Sequence, residues 1–169
     1  MKTNRSLAVV AVIASVALAA DAKKSARNFA TTLTAFEEVP GTISDGFGTL
    51  GLTIAPDDSR IDYTLSYTGL SGPALFSHIH FAEEDVNGAV MVFLCGGGGQ
   101  KPCPGASGTV SGTIVAANVG ANAAAQGVTP GDLAAVISVI RHGSGYANVH
   151  SPKYPGGEIR GQLKPGDDD

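Results

Sequence analysis

Two histidines, His78 and His80, stand at i and i+2 inside Ala74–Phe81, a run that reads as a β-strand. Side chains alternate across a strand, so both imidazoles leave the same face, about 7 Å apart at the backbone. Paired imidazoles on one rigid face are two of the ligands that a transition metal needs. The chain has four histidines, and a third, His150, closes another strand-like run, Tyr146-Ala147-Asn148-Val149-His150. An imidazole-rich, thiolate-free site in an oxidising compartment suits copper(II) first and zinc(II) second. The same residues also have a structural use, as imidazoles hydrogen-bonded to backbone or carboxylate in a polar sheet face. The fourth histidine, His142, follows an expected helix, and a solvent-facing helix end is favoured there over a ligand role.

Glu158 and Arg160 alternate with Ile159, so both project to one face of the closing strand. Buried together they form a charge pair able to orient a histidine, as groups behind metal ligands do. The competing expectation is a plain cross-strand ion pair. Glu83-Glu84-Asp85-Val86-Asn87-Gly88 lacks the ligand spacing of a calcium loop and reads as a solvated acidic turn. No Gly-x-Ser-x-Gly element and no suitably spaced pair of carboxylates points to hydrolysis.

The chemistry needs a scaffold, and the first residues are not part of it. Lys2 and Arg5 precede an apolar stretch from Leu7 to Ala20, followed by small residues at signal-peptidase spacing, Ala17-Leu18-Ala19 or Ala20-Asp21-Ala22. This predicts a signal peptide over residues 1–22, a short linker over 23–28 and a secreted or periplasmic mature chain. About 147 residues remain, one domain's worth, with nine basic and fourteen acidic side chains and a formal net charge of −5. No basic cluster follows Lys23-Lys24-Ser25-Ala26-Arg27, which argues against a nucleic-acid partner. No second apolar segment is long enough to cross a membrane. The sequence names no protein partner and no oligomeric state.

Cys95 and Cys103, the only cysteines, bracket a glycine-rich segment. Export and the even count favour a disulfide over two metal-binding thiolates, which would lack a second ligand pair at zinc-site spacing.

Abundant glycine, no tryptophan, and short runs of Val, Ile, Thr and Tyr between turn residues read as all-β. Strands are expected at Phe29–Glu38, Phe47–Ala55, Arg60–Tyr67, Ala74–Phe81, Ala89–Leu94, Gly108–Val115, Tyr146–His150 and Glu158–Leu163. One short helix is predicted from Pro130 to Arg141, with Thr129 as its N-cap and Gly143 beyond its end. Residues 116–126 read as irregular, and residues 164–169 as a frayed acidic tail. Such a series fits a two-sheet sandwich or a Greek-key barrel with the helix in a crossover.

Several motifs together resemble the CHRD (chordin) domain family over Phe29 to Leu163. They are Leu33-Thr34-Ala35-Phe36-Glu37-Glu38-Val39-Pro40, Tyr67-Thr68-Gly69-Leu70, His78-Ile79-His80, Asn87-Gly88-Ala89-Val90, Tyr146–His150 and Gly156–Leu163. The resemblance implies an immunoglobulin-like β-sandwich in an extracellular protein. The growth-factor binding of animal chordin belongs to a multidomain protein and does not transfer. A looser similarity joins His78, His80 and His150 to copper–zinc superoxide dismutases, which pair an HxH strand with a later histidine on an eight-stranded Greek-key barrel. No segment supplies the further histidines and aspartate of a zinc subsite, so the comparison leaves a mononuclear copper site with superoxide dismutase-like redox activity. The other expectation is a non-catalytic adhesion or interaction module.

Overall fold

The computed structural model describes residues 26–166. The expected signal peptide and residues 23–25 of the expected linker lie outside the described residues, as do residues 167–169.

The alternating runs become strands where their apolar residues can share one face. β1 (Asn28–Thr34) pairs with β2 (Phe47–Ile54), and β2 with β3 (Ile61–Thr68). In the β2–β3 hairpin Leu50 faces Leu65, Leu52 faces Tyr63 and Ile54 faces Ile61, all buried. The Asp57 carboxylate closes the turn between them by accepting the Ser59 amide and hydroxyl, at 3.2 and 2.7 Å. Arg141 grips the next carboxylate, Asp58, through two bonds of 2.7 and 2.8 Å.

Along the chain follow β4 (Phe76–Phe81), β5 (Ala89–Cys95), β6 (Gly108–Ile114), β7 (Gly145–His150), β8 (Ile159–Gln162) and the two-residue β9 (Lys164–Pro165). All pairings are antiparallel, in the order β5-β4-β7-β8-β1-β2-β3-β6, with β9 against β1. The hydrogen-bonded order holds one sheet, nearly closed into a barrel, instead of the two packed sheets of a sandwich. Continuity comes from β1, which joins β8 on one side and β2 on the other. β7 returns beside β4 after the β4-β5-β6 run, a Greek-key connection.

The seam lies between β5 and β6, and side chains close it. The Cys95–Cys103 disulfide is formed, with Cα atoms 4.9 Å apart. The Tyr63 hydroxyl donates to Leu94 O of β5 at 2.5 Å. On the β6 edge, Gln100 Nε2 donates to Thr113 O at 3.1 Å and Lys101 Nζ to Ser111 O at 3.0 Å.

α1 (Leu133–His142) lies in the β6–β7 crossover and turns Leu133, Val136, Ile137 and Ile140 into the core. It starts later than its sequence predicts. Gly131 has φ +82°, outside helical backbone, so Asp132 caps the helix instead of Thr129, accepting Ala135 N at 2.9 Å. Gly143, at φ 77°, ends it as expected. The irregular stretch holds two short 3-10 turns, Ala116–Asn118 and Ala124–Gln126.

Two boundaries differ from those the sequence predicts. β1 stops at Thr34, and Ala35–Glu37 forms a 3-10 turn, because Ala35 O accepts the Glu38 and Thr42 amides at 3.4 and 3.0 Å. At the other end Lys164 and Pro165, expected in a frayed tail, pair with Ala30 and Phe29. Among the described residues no helix is long and apolar enough to cross a membrane.

Ile79, Ala147, Val149 and Ile159 point into the apolar core. By alternation the residues between them, His78, His80, Tyr146, Asn148, His150 and Arg160, face the opposite side of the sheet. They are nevertheless buried, because loops cover that face.

Candidate metal centre

Register builds the site. Strand pairing sets His78 opposite Asn148, His80 opposite Tyr146 and Phe76 opposite His150, and sets Asn148 opposite Arg160 of β8. The three histidines therefore converge as their spacing predicts. One ring nitrogen from each lies within 4.8 Å of the others, and all three residues are buried. Their rings contact one another edge to face, His78 to His80 at 5.3 Å and His78 to His150 at 5.0 Å between centroids. Phe93 packs on His78 at 4.3 Å and Phe76 on His150 at 4.7 Å, so apolar edges wall the group.

Two backbone carbonyls orient the rings. His80 Nδ1 donates to Gly88 O at 3.0 Å, and His150 Nδ1 donates to Pro155 O at 3.0 Å. A carbonyl only accepts, so each neutral ring carries its proton on Nδ1 and its lone pair on Nε2. Such outer partners fix the tautomer of metal-ligating histidines. Both Nε2 atoms face the Asn148 side-chain oxygen at 3.0 Å, and His150 Nε2 also lies 3.3 Å from His78 Nδ1.

Burial removes water from any charged imidazolium, and the neighbouring rings add repulsion. Together they hold His78 down at about 3. Burial likewise holds His150 down at about 4 and keeps His80 below its ordinary value. All three rings are neutral at pH 7, the state in which imidazole ligates.

A short plank of stacked groups backs His80. Its ring lies parallel to Tyr146, 4.6 Å away and 8° off plane, and the Arg160 guanidinium sits 3.5 Å over the other ring's centroid. Arg160 in turn donates to Val86 O at 2.8 Å, Asn87 Oδ1 at 3.2 Å and Glu83 O at 3.3 Å. The acidic turn is thus folded around a buried cation through two backbone oxygens and the Asn87 amide oxygen.

The model of the CHRD domain matches residues 29–163. This chain belongs to the CHRD domain family. A search of curated proteins and a search of solved structures returned no match.

The two charges expected to work as a pair in this CHRD domain stand apart. Among the described residues Glu158 and Arg160 form no ion pair with each other. The Glu158 carboxylate is taken by the Ser44 hydroxyl at 2.5 Å and by the Ser71 amide and hydroxyl at 2.7 and 2.9 Å. Burial alone would raise its pKa, but the bonds from Ser151, Ser44 and Ser71 outweigh that and hold it below the usual value. Glu158 ties down the covering loops, while Arg160 reaches His80 only through Tyr146. His142 lies apart from the group, its Nδ1 against Ser138 O at 2.7 Å.

Two residues of the centre escaped the sequence reading. Asn148 is two residues before His150, and the alternation that selected His78 and His80 would have selected it too. Glu38 gives no such signal, because the Ala35–Glu37 3-10 turn that delivers it has the sequence pattern of a strand. It is buried, its Oε1 has no hydrogen-bond partner, and burial pushes its carboxyl up to about 7 against the pull of Arg160.

Proposed function

We propose that this CHRD domain is a secreted metal-binding protein that takes one transition-metal ion on His78, His80 and His150, copper in preference to zinc. The observation that carries the reading is the convergence of three buried, neutral imidazoles whose ring nitrogens lie within 4.8 Å. Donors about 2.0–2.1 Å from one ion lie about 4.2 Å apart when trans and about 3.4 Å apart at tetrahedral angles, so the widest pair would close by roughly 0.6–1.4 Å on binding. An all-imidazole set favours copper(II) over zinc(II) by the usual order of affinities. The formed disulfide supports an oxidising compartment, in keeping with the signal-peptide pattern of residues 1–22.

Copper held there would supply one-electron redox chemistry, and superoxide disproportionation is the activity to which this reading extends. The protein's own part is to keep the imidazoles neutral, to aim His80 and His150 through Gly88 O and Pro155 O, and to wall the group with Phe76 and Phe93. The second reading, an adhesion or interaction module with structural histidines, is favoured by the hydrogen bonds that the rings already make to Gly88 and Pro155.

Calorimetric titration of Cu(II) and Zn(II) into wild type and His80→Ala separates them. The metal reading expects one ion per chain in wild type and an affinity lower by more than about tenfold in the variant. Equal binding by both proteins would leave the module reading. If metal binds yet superoxide decays no faster than in buffer, the metal site stands and the dismutase activity falls.

A further inference from the structure

Asn148 touches the imidazole group more centrally than any other polar side chain, and three ring nitrogens do not account for it. Its Oδ1 lies 3.0 Å from His80 Nε2 and 3.0 Å from His150 Nε2. The Nδ1 protons of both rings are committed to Gly88 O and Pro155 O. Asn148 Oδ1 thus meets two Nε2 lone pairs with no proton between them; the one further ring nitrogen within reach, His78 Nδ1 at 3.3 Å from His150 Nε2, leaves both contacts to Oδ1 unbridged, and a cation would relieve them. The spacing suits a cation. Two donors about 2.0–2.2 Å from one ion and at right angles to each other lie about 3.0 Å apart.

The amide could relieve the repulsion by turning its NH2 toward the rings, and Glu38 opposes that turn. Glu38 is buried, and the Asn148 side chain is one of the groups that pull its carboxyl pKa back down against burial. A β-carbon on Gly157 would fall 2.2 Å from Glu38 Oε1, so only glycine lets the carboxyl lie there. The backbone of Asn148 is pinned as well, since the buried Ser77 hydroxyl donates to Asn148 O at 2.6 Å.

We propose that Asn148 is the fourth donor of the metal site, its Oδ1 binding the ion beside the three imidazoles, with Glu38 as the positioning residue that keeps the amide oxygen turned inward. This inference rests on the metal-binding reading above and gives it an N3O donor set. An ion so held can still expand to five ligands, so the superoxide test is independent of it.

The mature chain is titrated with Zn(II) alone and with Cu(II) alone, and folding of each variant is checked by thermal unfolding without metal. Asn148→Asp keeps an oxygen donor and is expected to bind at least as tightly as wild type. Asn148→Leu keeps the size, loses the donor, and is expected to bind about 10–100-fold more weakly. Glu38→Gln can donate to the amide oxygen and turn it away, so affinity should fall about tenfold in wild type. It should not fall in the Asn148→Asp background, because a carboxylate has no wrong face. A loss of the same size in both backgrounds would overturn the positioning role. Equal affinity of Asn148→Leu and wild type would overturn the fourth donor while leaving the three-histidine site intact. Uptake of neither ion by wild type would instead end the metal reading itself. Should Asn148→Leu not fold, the crystal structure of zinc-loaded wild type decides. Oδ1 within about 2.5 Å of the ion is expected, and an amide nitrogen facing the ion, or an oxygen beyond hydrogen-bond distance, refutes it.

Discussion

At the scale of single residues, the cost of the centre is the exclusion of three protonatable rings from water. An unfolded histidine takes up its proton near pH 6.5, whereas His78 and His150 resist it down to about 3 and about 4 in the folded chain, and His80 is also depressed. Between those limits the unfolded state binds more protons, so stability falls as pH drops from about 6.5 toward 4. Glu38 has the opposite sign. Its folded pKa is raised from 4.5 to about 7, and its contribution is lost as pH rises through that window. Three rings outweigh one carboxyl. The apo protein is therefore expected to have a clearly lower urea midpoint at pH 5 than at pH 7.5, with a shallower pH slope in His80→Gln. A midpoint independent of pH would mean that the rings are protonated in the folded chain. The histidines were legible because their spacing is local. The partners of Glu158 were not, since Ser44 and Ser71 lie 114 and 87 residues away along the chain and no short-range pattern announces such contacts.

At the scale of elements, short runs between turn residues located all eight longer strands: in β2 and β3 one buried face imposes a period of two that survives without knowledge of the partner, whereas β5 was legible as a continuous apolar run. Pattern failed where backbone geometry decided, at the Gly131 that delays the helix and at the Ala35–Glu37 turn that ends β1. The loop between β4 and β5 shows how an element aims a ring. Gly88 presents its carbonyl to His80, and a β-carbon there would fall 1.8 Å from Phe81 O. Gln126 clamps the same hairpin, donating to Phe81 O and accepting Ala89 N, each at 2.9 Å. Gly88→Ala must push the two backbones apart. It is expected to cost about 1–3 kcal/mol in thermal unfolding and to weaken metal binding as His80 loses its acceptor. Gly120→Ala, with open space at that position, should stay within about 0.5 kcal/mol of wild type.

At the scale of the whole molecule, the barrel is continuous except at one seam, and the Cys95–Cys103 bond belongs to that seam. Closing so short a loop restrains the unfolded chain and contributes roughly 2–3 kcal/mol in the chain-entropy model. The double variant Cys95→Ser/Cys103→Ser is expected to melt about 5–10 °C lower by calorimetry. An unchanged melting temperature would mean that Tyr63 and its neighbours close the seam unaided. The disulfide was legible from compartment and count. That it sits where a ladder is missing was not, because strand order is a property of the closed sheet.

The side chains along the β6 edge have a meaning beyond stability. A strand with open carbonyls is a template on which another chain can add its own strand. Gln100 and Lys101, delivered by the disulfide loop, occupy the Thr113 and Ser111 carbonyls from which such growth would start, and Lys101 sets a charge there as well. The glycine-rich loop, held by the disulfide, thus covers on the β6 edge the acceptors that an added strand would need.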